Sequence, residues 1–560
     1  MRRSVRAAAV AVSVAALALA GCSSSGNGDA NGSGDVNAPA LSAINPVPRD
    51  QLSQGGELRF GITQLPTNWN LASAAGNSAD LNAIEGFTMP ANFESNENGE
   101  LTPNPNYLTD VKVEPGPPQV VTLTLNSEAK WNDGTPITAA DYIASWKANN
   151  GEDSAFLIAS DDGWNQIANI EQGKDEFEVV VTFKSSYPDI EQVLSTVQRA
   201  DAVKDAETFN KGREGKPVVE WMTGPFKIAD LDVSQRTVAL VPNENWWGDK
   251  PLLDRVSFRE LDAAATPNAY ANNEIDVFDN IINADAYNKA LTRPDGEIRA
   301  AGGRQWRHFT VNGNSGLLQD KALRQAITKG INREAIAQSD LAGLPVKPEE
   351  LMMGNHFFMP GQDGYKDNSA DYAYNPEQAA KDLDALGWKL EDGAKFRTKD
   401  GQELKIQYQL LLGVPTSENE GKLFQADMEK IGVNVEMVNK SSDDFPAFLI
   451  DGEFGVTSFT WQSTIFPMAN VGQIYACDGG SNYSNTCDPE IDKLRDQIQV
   501  EMDHAKRIEL TNQVDKLIWD NVMTIPLYRR MEFTAVPKNL ANYGAFGLSS
   551  GRVEDIGYTK

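Results

Sequence analysis

Histidine and cysteine are scarce in this chain, with three of each in 560 residues. His308, His356 and His504 stand far apart, and none has a second His, a Cys or a paired Asp at metal-ligand spacing, which argues against a metal centre. P-loop and H-E-x-x-H patterns are missing too. Positive charge is in deficit, 50 Lys and Arg against 79 Asp and Glu, for a net charge of −29. That balance excludes nucleic acid and anionic lipid headgroups as general partners, because both demand basic patches. An acidic pair among 79 acids is a solvated face before it is a catalytic dyad. The sequence offers binding rather than catalysis, and no cofactor is implied.

Long apolar runs are missing after the first residues. The start itself is basic, at Arg2, Arg3 and Arg6, and Ala7 to Ala20 is an apolar run interrupted only by Ser13. A run of 14 residues is too short to span a bilayer comfortably but suits a signal-peptide core. The run ends in Leu19-Ala20-Gly21-Cys22, the pattern of a bacterial lipoprotein signal, so residues 1–21 are expected to be removed and Cys22 to carry lipid. Residues 22–54 open with Gly/Ser/Asn-rich sequence and are expected to form a flexible tether. The folded body would then sit at the outer face of the cytoplasmic membrane. Cys477 and Cys487 remain, with nine residues between them in an exported protein, and a disulfide is the default expectation.

Beyond Gly55 the chain is long enough for two or three domains and 41% hydrophobic overall. Short β-branched runs at 55–62, 119–126, 177–184, 237–243 and 255–261 read as strands. Residues 320–343 read as helix with a break at Gly330-Ile331-Asn332, and 375–388 as a helix with Asn375 as cap and a stop at Gly387. Residues 489–521 read as two helices, and 403–412 with 433–440 as two strands flanking a helix. The sum is a mixed α/β chain with several sheets.

One stretch stands apart. Gly455 to Cys477, GVTSFTWQSTIFPMANVGQIYAC, has no Asp, Glu, Lys or Arg in a chain that is 23% charged. At that average the interval between Glu453 and Asp478 would hold about five or six charges.

Residues 121–148, VTLTLNSEAKWNDGTPITAADYIASWKA, place Trp131, Asp133, Gly134, Pro136, Thr138, Ala139, Asp141, Ser145 and Trp146 in one ordered pattern. MTGPFKI (222–228), VPNENWW (241–247), GLLQDKALRQAITKGINREAI (316–336), YNPEQAAKDLDALGW (374–388), SNYSNTCDPEIDKL (481–494) and MTIPLYRR (523–530) follow. This set resembles, in order, the motifs of the family 5 extracellular solute-binding proteins of ABC importers, the oligopeptide, dipeptide and nickel binders. The resemblance covers nearly all of Gly55 to Lys560.

It implies a bilobal periplasmic-binding-protein-like fold with two hinge crossings, near Phe309–Asn312 and Leu527–Arg530. The first lobe would comprise 55–311 and 528–560, with an extra subdomain at about 103–220, and the second lobe 312–527. Import would need an ABC permease and ATPase as partners, with the binder itself a monomer anchored to the membrane by lipid. In the peptide-binding relatives the second-lobe wall resembles W-x-x-D-Y, whose Asp grips the peptide's amino group. Here the matching residues are Trp461-Gln462-Ser463-Thr464-Ile465; the Trp is kept, and Thr464 stands where the acid would be. Trp461, Gln462, Ser463, Thr464 and Phe466 are therefore the expected pocket residues. Trp69 and Asn70 join them from the first lobe, and Asn482 and Tyr483 from the disulfide loop. Asn312 is expected at the hinge, and Trp131, Trp146, Trp246 and Trp247 are assigned to structure. The W-x-[GS]-T-x-F-P version looks like an actinobacterial branch that includes peptide importers and a mycobacterial lipoprotein of mannosylated phosphatidylinositol metabolism. The expected function is a lipid-anchored oligopeptide receptor. The alternative is a non-transport lipoprotein that binds a glycolipid or cell-wall intermediate and regulates envelope synthesis.

Overall fold

The computed structural model describes residues 40–560, except Pro90, Asp162, Asn280, 442–444 and Asn470. The expected signal, Cys22 and the first part of the expected tether lie outside the described residues.

Three sheets organise the chain. In the first, strand Glu57–Ile62 runs parallel to Arg255–Glu260, and Thr237–Pro242 and Phe226–Asp232 continue antiparallel. Leu58, Phe60 and Ile62 alternate inward, as a half-buried strand requires. Phe60 stacks on Phe258 at 4.9 Å between ring centres and meets Phe87 edge-on. The second sheet is antiparallel throughout, in the order Leu108–Glu114, Val120–Leu125, Glu178–Phe183, Ile167–Gln172. Helix Ala139–Asn149 belongs to this subdomain and starts with a capping box of Thr138 and Asp141. Asp141 accepts hydrogen bonds from the backbone N–H groups of Thr138 (2.9 Å) and Ala200 (2.8 Å) and from the Trp131 indole (3.3 Å). Trp131 is buried, so the spacing of Trp131 and Asp141 serves to lock a turn to a helix.

The third sheet has five strands in the order Asn434–Ser441, Lys405–Leu412, Val456–Gln462, Gly296–Val311, Thr524–Pro537. The first two are parallel, joined by helix Pro415–Lys430. Helices Lys321–Thr328 and Arg333–Asp340 flank the expected break, and Pro489–Ile498 and His504–Asn521 divide the other long helical region.

The two long strands, Gly296–Val311 and Thr524–Pro537, pair antiparallel and carry the chain between lobes. Their register breaks between Gly302 and Trp306. From Gln305 to Val311 the first strand pairs with Val456–Gln462, and Phe309 is buried against Tyr408 and Phe424. The change of pairing thus lies near Gly302–Gly303, within the strand that leads to the crossing expected at 309–312. A uniform strand hides the change of partner; the Gly-Gly pair marks it, since a Cβ at Gly303 would lie 2.7 Å from the backbone of Arg530. The Asn312 side-chain N–H₂ donates to the carbonyls of Gly452 (3.0 Å) and Phe454 (2.9 Å).

The expected tether is also shortened. Ala43 pairs with Ala545, and Leu52–Ser53 pair with Tyr558–Thr559. Low-complexity sequence gives way near Ala40 to a segment with Leu41, Ile44, Val47 and Leu52. Leu52 is buried with Leu252 and Ala541, which holds that segment down.

Candidate functional site: a cleft between the lobes

A cavity of about 960 Å³ separates the lobes. The first lobe contributes Leu41, Leu548 and the hairpin turn from Glu97 to Leu101, between strands Phe93–Ser95 and Leu101–Pro103. The second lobe contributes Phe358, Pro360, Phe466 and Met468, and the hinge contributes Gly302 and Arg529.

Arg529 sits where the two crossing strands part. Its Nε donates to the Gly303 carbonyl (2.6 Å) and its Nη1 to that of Pro360 (3.2 Å). No carboxylate forms an ion pair with it among the described residues. Burial draws its pKa down to about 10, which leaves it cationic at neutral pH. A Cβ at residue 302 would lie 2.6 Å from its guanidinium carbon, so Gly302 leaves the space that Arg529 fills. The result is a fixed cation facing the cleft.

A second arginine clasps the lobes. Arg507, on helix His504–Asn521, makes a bidentate pair with Asp189 of the subdomain, its Nη1 2.7 Å from Oδ1 and its Nη2 bonded to Oδ2. Arg507 Nε also donates to the Ile498 carbonyl at 3.0 Å, which orients the fork. Both residues are buried and both line the cleft.

The expected pocket residues divide. Phe466 lines the cleft. Trp461 lies beside it, with its ring parallel to His308 and to Tyr483, each at 5.9 Å, and against the edge of Phe459. Trp461 and Tyr483 line a much smaller pocket with Thr310, Ser484 and Thr524. The Trp461 indole N–H, both His308 ring nitrogens and the Thr310 hydroxyl are buried without a hydrogen-bond partner. Desolvation holds His308 well below the usual imidazole range, so it is neutral. Gln462 accepts from Gln305 Nε2 at 3.4 Å, and the Ser463 N–H donates to the Arg304 carbonyl at 2.9 Å, which ties this wall to the hinge. Thr464 Oγ1 accepts the Phe466 N–H at 3.1 Å.

Three other expected site residues, Trp69, Asn70 and Asn482, do not line this cleft. Trp69 is 1% exposed in the first-lobe core. Asn70 is fully buried, donating to the Phe209 carbonyl (2.8 Å) and accepting from Gln198 (3.0 Å). Both face into their own lobe because the loop after strand Glu57–Ile62 folds down onto the subdomain. Asn482 donates to the carbonyls of Ala476 and Thr486, both at 2.9 Å, and so closes the loop that the Cys477–Cys487 disulfide also closes (S–S 2.03 Å).

Sequence reading missed Arg529, Arg507, Asp189 and the hairpin acids Glu97 and Glu100. Only Arg529 carried a signal, as part of the terminal LYRR. The backbone of Val456–Gln462 pairs along one edge with Gly296–Val311, while its other edge meets Lys405–Leu412 only at Val456 and Thr457. Beyond Thr457 that edge has no strand partner among the described residues, which is the geometry that accepts an added strand.

Gly547-Leu548-Ser549-Ser550-Gly551 matches the hydrolase pattern G-x-S-x-G, but it forms a turn near the C-terminus and no strand-to-helix elbow. Ser549 Oγ donates to the Phe546 carbonyl (2.7 Å). His308 is among the second-lobe aromatics, His356 pairs with Asp515, and His504 lies 3.5 Å from Asp363.

A ligand-sized cleft between two lobes, with two adjacent strands as the connection, defines a bilobal binding protein of the periplasmic type. The structure resembles that of the periplasmic EDTA-binding protein EppA with a TM-score of 0.85, at 23% identity over 94% of this chain and 99% of that one. It resembles AppA of Bacillus subtilis, solved with a nonapeptide, with a TM-score of 0.75, at 19% identity over 91% and 100%. Residues 102–483 match the model of the bacterial extracellular solute-binding proteins, family 5. The chain is 38% identical over 524 residues to the oligopeptide-binding protein OppA of Mycobacterium tuberculosis, covering 93% of this chain and 87% of that protein. It is 22% identical to the nickel-binding periplasmic protein of Escherichia coli, over 72% and 77%. The chain belongs to the family 5 extracellular solute-binding proteins, and as such it is a binding protein and not an enzyme. Among the described residues no group of three or more His, Cys, Asp and Glu is arranged to hold a metal ion, and no helix is long and apolar enough to cross a membrane.

Proposed function

We propose that this protein is a lipid-anchored receptor that binds oligopeptides in the interlobe cleft and delivers them to an ABC permease and its ATPase. The observation that carries this reading is the cleft itself. At about 960 Å³ it stands at the top of the range of about 300–1,000 Å³ typical of small-molecule sites. Strand Val456–Gln462, whose edge beyond Thr457 has no strand partner among the described residues, leads into Ile465–Met468 on the cleft wall, an arrangement suited to any peptide backbone. In this reading Arg529 takes the peptide carboxylate, and Glu97 or Glu100, on the first-lobe hairpin, takes the amine that Thr464 cannot. The 38% identity to a protein named for oligopeptide binding supports the same ligand class. Arg2, Arg3, Arg6, the apolar run to Ala20 and Cys22 support the anchor.

The test is calorimetric titration of the ligand-stripped protein with short mixed-sequence peptides and their N-acetylated and C-amidated forms. Saturable binding that is weakened by amidation, and weakened by acetylation in the native protein but not in Glu97→Gln/Glu100→Gln, supports the assignment. Equal binding of all forms refutes the end-group roles, and no binding refutes the peptide. A second reading keeps the fold and exchanges the ligand for a glycolipid, favoured by the missing acid at Thr464 and the uncharged wall from 455 to 477. Binding of glycolipid micelles but not of peptides would establish it.

A further inference from the structure

A separate cavity of about 620 Å³ lies wholly within the first lobe, at the seam between its core and the extra subdomain. Its lining includes Glu85 and Gly86 of helix Ala79–Thr88, Arg213, the tryptophans Trp221 and Trp246, and the C-terminal segment at Ser550–Glu554. Among the described residues none of the second lobe lines it, so lobe closure is not needed to form it.

Arg213 is the unusual group. It is 8% exposed and lines the cavity, yet its Nε and one terminal nitrogen have no hydrogen-bond partner among the described residues. No ion pair within 4.0 Å holds it among the described residues. A buried guanidinium with open donors is costly unless something satisfies it. The other cations here are already engaged. Arg199 pairs with Asp133 (2.6 Å) and Asp201 (3.2 Å), and Arg552 with Glu94 (2.9 Å). Glu554 accepts from Asn106 at 3.4 Å. Glu85 attracts Arg213 electrostatically without bonding to it, and burial pushes its carboxyl up to about 7, so near neutral pH it compensates only part of the charge.

We propose that this seam is a second ligand site, which takes a small carboxylate with a flat, ring-bearing body, the carboxylate on the fork of Arg213 and the ring against Trp221 and Trp246. A planar guanidinium with free donors matches a planar carboxylate two bonds at a time. Indole walls favour a ring over an aliphatic body.

Benzoate is the probe, with acetate and inorganic phosphate as comparisons, titrated by calorimetry into the full chain. The native protein binds benzoate saturably and binds acetate and phosphate at least tenfold more weakly. Arg213→Gln weakens benzoate at least tenfold. Gly86→Phe does the same by occupying the cavity, since a Cβ there meets nothing within 4 Å. The Phe variant carries the test if the Arg variant fails to fold. Absence of saturable benzoate binding, equal binding in a folded Arg213→Gln or Gly86→Phe protein, or tighter binding of phosphate than of benzoate overturns the assignment.

Discussion

Replacing Asp189 by Asn is expected to weaken ligand binding without unfolding the protein. The Asp189–Arg507 pair joins residues of different lobes, and both are buried where the lobes meet. Removing one partner of a buried pair costs about 3–5 kcal/mol, because the other charge is left without compensation. When the lobes part, both groups face water, where such a pair contributes about 0–1 kcal/mol. The penalty therefore falls on the closed form, and the difference is about 2–5 kcal/mol. Asn retains a hydrogen-bonding side chain and Arg507 keeps its bond to the Ile498 carbonyl, so the lower end applies: about 2 kcal/mol, roughly thirtyfold in apparent Kd. Calorimetry reads the affinity, and small-angle scattering with saturating ligand reads the closed fraction. The double variant Asp189→Asn/Arg507→Gln should bind more tightly than the two single penalties added together predict, which is the signature of a direct pair. Affinity within twofold of native, with unchanged scattering, would show that the pair does not distinguish closed from open and would refute the reasoning.

Arg529→Gln should weaken unmodified peptides about tenfold or more while C-amidated peptides change little, as measured by calorimetry. Cys477→Ser/Cys487→Ser should lower stability by about 2–3 kcal/mol, because the closed loop is short, with a fall in Tm that reducing agent reproduces in the native protein. Asp340 should make stability depend on pH. Its carboxyl is pushed up to about 7 by burial and by Glu420, with Asn419 (2.7 Å) and Tyr528 (3.1 Å) bonded to it. A raised carboxyl favours the folded state fully below the unfolded value of about 3.9 and loses that contribution as pH rises through about 7. Asp340→Asn should therefore raise Tm relative to native more at pH 8 than at pH 5. An equal shift at both values would place the titration elsewhere.

Local features of the fold were legible where one segment contains its own explanation. The alternation in 119–126 and 177–184, the capping box at Thr138 and Asp141, and the break near Gly330 all state their structure within a few residues. Of the charge-free stretch from 455, Phe466 lines the cleft, while Trp461 lines a smaller neighbouring pocket. The placement of Trp69 and Asn70 was not legible, because a loop with an aromatic and an amide reads alike whether it faces a ligand or folds onto Phe209. The change of partner within Gly296–Val311 was not legible, because the segment is one strand by every local criterion. The clasp was invisible in principle: Asp189 and Arg507 are 318 positions apart, in a chain with 79 acids and 50 bases. Such a pair exists only once both lobes are folded and in contact.

The most direct test of the account is native mass spectrometry of the full chain purified from membranes, followed by identification of what dissociates from it. A ladder of peptide masses bound one per protein is the predicted result. A single glycolipid mass that peptides do not displace would contradict it.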